Sequence, residues 1–206
     1  FAAAWSALST RYAYVGYYGG GSTGDQEAAL SKAESAARRA LALNPNDLEA
    51  AGNLTYRAIE KQRPDEAYGI ARRTLQQNPE RAMAHFAMSY LYRYVGLLGE
   101  AARECNEALA LSPTDVNMRS CTITFYRLGN LARARDFLAL DADSLWAYRH
   151  EGLLEVYAGR LQEANRLLDR DPNVPFSGLV EQSLIDPGSA ETRATLDEAI
   201  EVARTS

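Results

Sequence analysis

Three prolines, at positions 45, 79 and 113, follow one another at equal intervals of 34 residues along this chain of 206 residues. Each proline closes a phrase similar to the Leu-Ala-Leu-Asn-Pro of residues 41–45. A period of this length is typical of an array of helical repeats. Because one helical hairpin cannot bury its own apolar face, repeats of this kind stack on their neighbours. The spacing therefore predicts an all-α chain in which successive helix pairs form a solenoid.

The residues inside each period carry a second regularity, which concerns side-chain size. Trp5, Leu8, Ser9 and Tyr12 match the phrase W-x2-L-G-x2-Y, with serine in place of glycine. Small residues recur at fixed positions in the units that follow. The chain resembles the tetratricopeptide repeat (TPR) family, and this resemblance implies a right-handed superhelical solenoid of antiparallel helix pairs.

The repeat pattern also predicts the organisation of the chain, which we expect to form one domain. The array spans residues 1–172, and its units cover residues 1–47, 48–81, 82–115, 116–144 and 145–172, of which the last two are short. The first unit has more residues than the motif needs, many of them glycine and tyrosine, so residues 13–27 are predicted to form an inserted loop. Residues 173–188 are predicted to be a connector, and residues 189–206 a C-terminal capping helix with an apolar stripe.

Composition argues against several classes of partner. The net charge of −5 and the isoelectric point near 5.2 disfavour nucleic acid, which needs a concentrated basic surface. No stretch approaches the roughly 20 apolar residues of a membrane span, so we expect no membrane contact.

The chain begins at Phe1, and we expect a fragment of a longer, cytoplasmic protein. Cys105 and Cys121 lack paired spacing, so we expect packed apolar residues rather than a disulfide framework or a metal site.

No group of residues in the sequence has the pattern of a catalytic, cofactor or metal site. Residues 19–24 formally match G-x-G-x-x-G, but a dinucleotide fingerprint needs a preceding strand, and here a tyrosine-rich helix precedes it. His85 and His150 lie in different units and belong to no spaced ligand set. We therefore predict that the protein is not an enzyme and that it has no cofactor and no metal.

In the TPR family the first helix of each pair lines a concave groove, and the resemblance maps that groove onto particular residues here. The candidate partner-binding residues are Asn53, Tyr56, Phe86, Tyr90, Arg93, Tyr94, Arg127, Trp146, Arg149, His150 and Tyr157. Tyrosine and arginine suit recognition because they offer large contact area, stacking and forked hydrogen bonds. These residues predict a protein or peptide partner with acidic and apolar groups. The alternative is that the tyrosines simply pack between neighbouring helices.

The leading interpretation of the sequence is a non-catalytic protein–protein interaction module that binds a partner peptide or an effector domain in this groove. The glycine- and tyrosine-rich segment and residues 33–41 resemble the repeat regions of bacterial eukaryotic-like serine/threonine kinases and of adenylate-cyclase-like or transcriptional regulators. That resemblance implies a place in a larger bacterial signalling or regulatory protein. The alternative is a self-associating structural scaffold or spacer, and the sequence leaves the oligomeric state open.

Overall fold

The computed structural model describes residues 1–168 of the chain. The connector predicted at residues 173–188 and the capping helix predicted at residues 189–206 lie outside the described residues. The chain divides into two compact units, Phe1–Cys121 and Thr122–Ser206. The repeat boundaries inferred from the proline period stay predictions.

Short turns join the helices of the first unit, so that consecutive helices run antiparallel and pack on one another. This unit contains α1 (Ala2–Tyr18), α2 (Thr23–Leu43), α3 (Leu48–Glu60), α4 (Pro64–Gln77), α5 (Ala82–Tyr94), α6 (Leu98–Leu111) and a 3₁₀ turn (Val116–Ser120). The second unit contains α7 (Cys121–Arg127, beginning at the last residue of the first unit), α8 (Leu131–Leu138), α9 (Leu145–Tyr157) and α10 (Leu161–Leu168). Residues 1–168 contain no strand, and the predicted all-α fold class is confirmed.

The first helix pair differs from the sequence prediction, because residues 13–27 do not form an inserted loop. α1 continues to Tyr18 and α2 begins at Thr23, so the connection contains only residues 19–22. Ser22 caps α2: its hydroxyl accepts a hydrogen bond from the backbone N–H of Asp25, whose carboxylate accepts one from the backbone N–H of Ser22. The residues beyond the repeat motif therefore lengthen the two helices, to 17 and 21 residues.

Alanines form much of the interface between the helices of the first unit, and their small side chains let the helices approach closely. One buried cluster joins α2 to α3 and contains Ala37, Ala40, Ala50 and Leu54. A second joins α3, α4 and α5 and contains Ala58, Ile59, Ala67, Ala71, Met88 and Leu91. Because α3 packs against both α1 and α5, the first helices of these three pairs lie side by side and form one face of the unit.

The turns inside four of the helix pairs share one backbone conformation. Shortly after the first helix, a residue has a positive φ, which is 55° at Gln62, 84° at Gly96, 76° at Gly129 and 75° at Gly159. The next backbone N–H then donates to a carbonyl five residues earlier, as Leu97 does to Tyr92 at 2.8 Å. This is the Schellman motif, which ends a helix with a left-handed residue and favours glycine there. Among these four turns, position 62 is the one without glycine.

Gln62→Gly is therefore expected to stabilise the first unit by about 0.5–1 kcal/mol. The cost of a left-handed residue with a side chain, about 1–2 kcal/mol, exceeds the chain entropy that glycine loses on folding. Urea denaturation followed by far-UV circular dichroism measures the difference. Gln76→Gly, at an exposed position of the right-handed helix α4, is the matched control and should lose about 0.5–1 kcal/mol. A loss in both variants would contradict the turn geometry.

Cys105 and Cys121 form a disulfide, so the expectation of two separate packed cysteines is wrong. Their Cα atoms lie 5.9 Å apart, and both side chains are fully buried. Cys105 belongs to α6, and the chain then folds back through residues 112–115 and the 3₁₀ turn to reach Cys121. A separation of 16 residues has no signature of pairing in the sequence. The bond ties the start of α7 to α6.

Candidate functional site

Aromatic rings on the first helices of the first unit form two neighbouring groups on one face, which together are called the aromatic belt. The belt consists of Tyr14, Tyr17 and Tyr18 on α1, Tyr56 on α3, and Phe86, Tyr90 and Tyr94 on α5. Contacting rings on α1 have centroids 5.4–6.2 Å apart. Contacting rings on α3 and α5 have centroids 4.8–6.4 Å apart. Tyr17 and Tyr56 line one small cavity, which places the α1 rings beside those of α3 and α5. The belt therefore crosses all three helices of this face.

The aromatic side chains of the belt differ in how much of their surface is exposed to solvent. Phe86 is buried, whereas Tyr56 and Tyr90 are partly buried. Tyr18 and Tyr94, by contrast, expose 72% and 59% of their surface. The inner rings therefore pack between helices, and the outer rings present their faces to solvent.

Three tyrosine hydroxyls of the belt have pKa values above the ordinary value of a phenol. Burial, together with the hydrogen bond and the negative charge of Glu60, raises the pKa of Tyr17 above its ordinary value. Burial also raises the pKa of Tyr56, against the opposing charge of Arg93. Burial and then the hydrogen bond with Tyr94 raise the pKa of Tyr90. These phenols are therefore neutral at physiological pH, and charge near the belt comes from the side chains beside it.

Arg93, one of the predicted partner-binding residues, is held inside the first unit. The residue exposes 5% of its surface, and its guanidinium donates a hydrogen bond to the backbone carbonyl of Ser120 at 2.5 Å. The same guanidinium lies 4.5 Å from the centroid of the Tyr90 ring, a distance typical of a cation–π contact. Arg93 therefore connects the belt to the 3₁₀ turn that precedes α7.

Asn53, another predicted site residue, holds two of the belt helices together. Its side-chain amide donates to the hydroxyls of Ser9 at 3.1 Å and Thr10 at 2.9 Å. The Thr10 hydroxyl donates in turn to the Glu49 carboxylate at 2.6 Å. These hydrogen bonds align α1 with α3 beside the belt.

The remaining predicted site residues lie in the second unit. The Trp146 ring stacks on the His150 ring with 3.7 Å between centroids, and His150 Nδ1 donates to the Trp146 carbonyl at 2.9 Å. His150 is buried, whereas Tyr157 is exposed near the end of α9. Arg127 is exposed at the end of α7, and Arg149 is partly buried on α9. His150 therefore packs α9, while Tyr157 and Arg127 face solvent.

A charged cluster next to the belt ties α2 to α3 and α4. Arg57, on α3, is buried and pairs with Glu27 and Glu34 on α2. Burial opposes the ionisation of Glu34, but hydrogen bonds from Arg38 and Arg63 outweigh it and help to lower the pKa of this carboxyl to about 2. The cluster has no signature in the sequence, because its members are distant along the chain. Their mutual pairing fixes α3, which carries Tyr56 of the belt, against α2, and the Arg38–Glu66 pair joins α2 to α4.

The space between belt and cluster is too small for an organic cofactor. A cavity of about 20 Å³, lined by residues that include Tyr17, Tyr56 and Glu34, admits one water-sized group. Within residues 1–168, no set of histidine, cysteine, aspartate and glutamate side chains is grouped as a metal site would require. In the same part of the chain, no helix has both the length and the apolar character needed to cross a membrane.

Three belt residues were missed by the sequence analysis, which placed Tyr14, Tyr17 and Tyr18 in a loop. Two signals could have found them. Ser22 and Asp25 have the spacing of a capping box, which marks the start of a helix. Tyr14 and Tyr18 are four residues apart, which places them on one face of a helix.

Antiparallel helix pairs, alanine-rich interfaces, glycine-favouring turns and a 34-residue proline period together define the tetratricopeptide-repeat fold. The sequence matches no family model and no curated protein. Solved structures do match, and they are TPR proteins or proteins of similar fold. The likeness establishes the fold, and it gives the kinase and cyclase contexts no support.

Three of these structures cover nearly all of the chain. A thermophilic TPR protein of Thermus thermophilus has a TM-score of 0.61 at 18% identity, over 93% of this chain and 98% of that one. A TPR protein from Parabacteroides merdae has a TM-score of 0.63 at 16% identity, over 95% and 80% of the two chains. PilF of Pseudomonas aeruginosa has a TM-score of 0.59 at 15% identity, over 95% and 99%.

Proposed function

We propose that this chain is a non-catalytic protein–protein interaction module that binds a partner peptide or an effector domain on the aromatic belt. The observation that carries the proposal is the grouping of aromatic rings on one face of packed helices, where the outer rings Tyr14, Tyr18 and Tyr94 are exposed. Scattered exposed apolar residues are normal, whereas contiguous exposed patches mark interaction sites. The wider context inferred from the sequence, a larger bacterial signalling or regulatory protein, stays a prediction.

The physical chemistry of the belt suits this role. A tyrosine ring buries a large area at low cost in rotamer freedom and keeps a hydroxyl for hydrogen bonding. Because Tyr56 packs against Phe86 and Tyr90, and Tyr90 stacks on the exposed Tyr94, the surface is largely formed before a partner arrives. Binding then costs little ordering entropy.

Peptides selected from a display library on the wild-type chain are expected to depend on the belt. Replacing both Tyr18 and Tyr94 with alanine should weaken their binding by about 30-fold or more, since truncation of a hot-spot aromatic residue costs about 2 kcal/mol or more. Fluorescence anisotropy with labelled selected peptides measures the change.

Tyr68→Ala is the matched control, because Tyr68 is an exposed tyrosine of α4 outside the belt. It should change the affinity by no more than about twofold. Unchanged binding by the double variant would contradict the proposal. Sedimentation equilibrium tests the alternative predicted from the sequence, since a self-associating scaffold gains mass as its concentration rises.

A further inference from the structure

We infer that the occupant of the belt is a positively charged peptide segment, whose arginine or lysine side chains lie on the exposed tyrosine rings beside Glu60. The inference rests on the function proposed above and specifies the chemistry of the partner. It reverses the charge expected from the sequence, which predicted an acidic and apolar partner. Three features of the first unit support it: the burial of Arg93, the guanidinium contacts that the rings already make, and the exposed carboxylate of Glu60.

The first feature is the position of the cation that was expected to attract an acidic partner. Arg93 exposes 5% of its surface, and its guanidinium donates to the Ser120 carbonyl. A carboxylate of a partner could reach this guanidinium only if the surrounding residues moved aside. Arg93 therefore offers a peptide in the first unit no accessible positive charge.

The second feature is the affinity of the belt rings for guanidinium groups. The Arg93 guanidinium lies 4.5 Å from the centroid of Tyr90, and the Arg11 guanidinium lies 5.5 Å from the centroid of Tyr14. Such contacts arise because the face of an aromatic ring carries partial negative charge. Tyr18 and Tyr94 have more than half of their surface exposed. The Arg93 guanidinium also lies 5.6 Å from the centroid of Tyr94. The exposed sides of Tyr18 and Tyr94 can accept cations of a partner in the same way.

The third feature is the carboxylate of Glu60, which lies at the C-terminal end of α3 and pairs with Arg57, a residue that lines the same small cavity as Tyr17 and Tyr56. The Glu60 side chain is one-third exposed, and its nearby cation, Arg57, lies at 3.5 Å. Arg57 is buried and also pairs with Glu27, so its charge is shared. Glu60 can therefore accept a further cation from solution, and it would repel a carboxylate.

The other charged residues on this face do not change the sign of the expected partner. Glu49 is exposed and binds Thr10, and Arg11 is exposed with its guanidinium over Tyr14. These two charges oppose each other. Lys61, next to Glu60, pairs with Glu27 and Glu34 on α2. With Arg93 buried, Glu60 contributes negative charge beside the belt, and the chain as a whole carries −5. Charge complementarity therefore favours a cationic peptide.

Three synthetic peptides test the inference. They share one leucine-containing frame and differ only in whether every charged position is arginine, glutamate or glutamine. Fluorescence anisotropy at low salt is expected to show that the arginine peptide binds at least about tenfold more tightly than the glutamate peptide. Tyr94→Ala and Glu60→Gln should each weaken its binding by about fivefold or more, and added salt should weaken it further.

Matched controls separate this site from general attraction to an acidic chain. Glu107→Gln removes an exposed carboxylate of α6, and Tyr68→Ala removes an exposed ring of α4. Both should leave binding of the arginine peptide within about twofold of wild type. Circular dichroism establishes that all variants stay folded. Equal losses in test and control variants would overturn the inference.

The remaining outcomes distinguish the inference from the proposed function. Tighter binding of the glutamate or glutamine peptide, lost in Tyr94→Ala, would overturn the charge assignment and support the belt as a binding surface. If none of the three peptides binds while display-selected peptides do, the charge assignment fails alone. If the binding of neither the synthetic nor the display-selected peptides depends on Tyr18 or Tyr94, the charge assignment and the proposed function both fail.

Discussion

Replacing both Cys105 and Cys121 with alanine is expected to lower the free energy of unfolding of the first unit by about 3 kcal/mol, a factor of about 100 in the unfolding equilibrium. The disulfide closes a loop between residues 16 apart, and closing such a loop removes conformational freedom from the unfolded chain. Both sulfur atoms lie in fully buried side chains, so the bond also forms part of the packing between α6 and the start of α7.

Urea denaturation of oxidised and reduced protein measures this effect. Reductant should lower the urea midpoint of the wild-type chain and leave the midpoint of the double alanine variant unchanged. The variant therefore controls for effects of the reductant that do not involve the disulfide. Free thiols in the oxidised, folded protein, or a midpoint insensitive to reductant, would contradict the bond. Because stable disulfides persist mainly in oxidising compartments, the state of this pair in cells also tests the predicted cytoplasmic location.

The helix pairs could be predicted from the sequence because their packing depends on residues close together in the chain. Ala67, Ala71 and Ala101 are fully buried, and the regular spacing of such alanines is visible without a structure. Helix length was not visible in the same way. The repeat motif specifies where two helices meet, whereas Ser22 and Asp25 determine where α2 begins, and so residues 13–27 were assigned wrongly to a loop.

How deeply a side chain is buried was harder to predict than which face of its helix it occupies. The repeat register placed Arg93 on the same side as Tyr90 and Tyr94, and its guanidinium does contact both of their rings. Its burial, however, depends on the carbonyl of Ser120, which lies 27 residues away in sequence. Cys105 and Cys121 present the same difficulty. Contacts of this kind follow from how neighbouring pairs stack, which a period alone does not specify.

The second unit is expected to lose about 3–5 kcal/mol of unfolding free energy on Phe137→Ala, the range for deleting a buried aromatic ring. Phe137 is fully buried, and its ring stacks on Phe125 with 5.1 Å between centroids and 15° between planes. The Arg133 guanidinium lies 5.0 Å from the centroid of the Phe137 ring. The substitution therefore removes apolar burial, ring stacking and a cation–π contact at once, and it leaves a cavity that α8 cannot fill.

Trp146 lies in the second unit and reports on its unfolding, provided that the other tryptophan is removed by Trp5→Phe. Urea denaturation followed by tryptophan fluorescence in that background measures the loss. Leu128→Ala is the matched control, because Leu128 belongs to the same unit and is 45% exposed; its loss should stay below about 1 kcal/mol. Both changes delete apolar atoms, so the difference between them measures what the buried ring and its contacts contribute. Equal losses would mean that Phe137 is not part of the core of this unit.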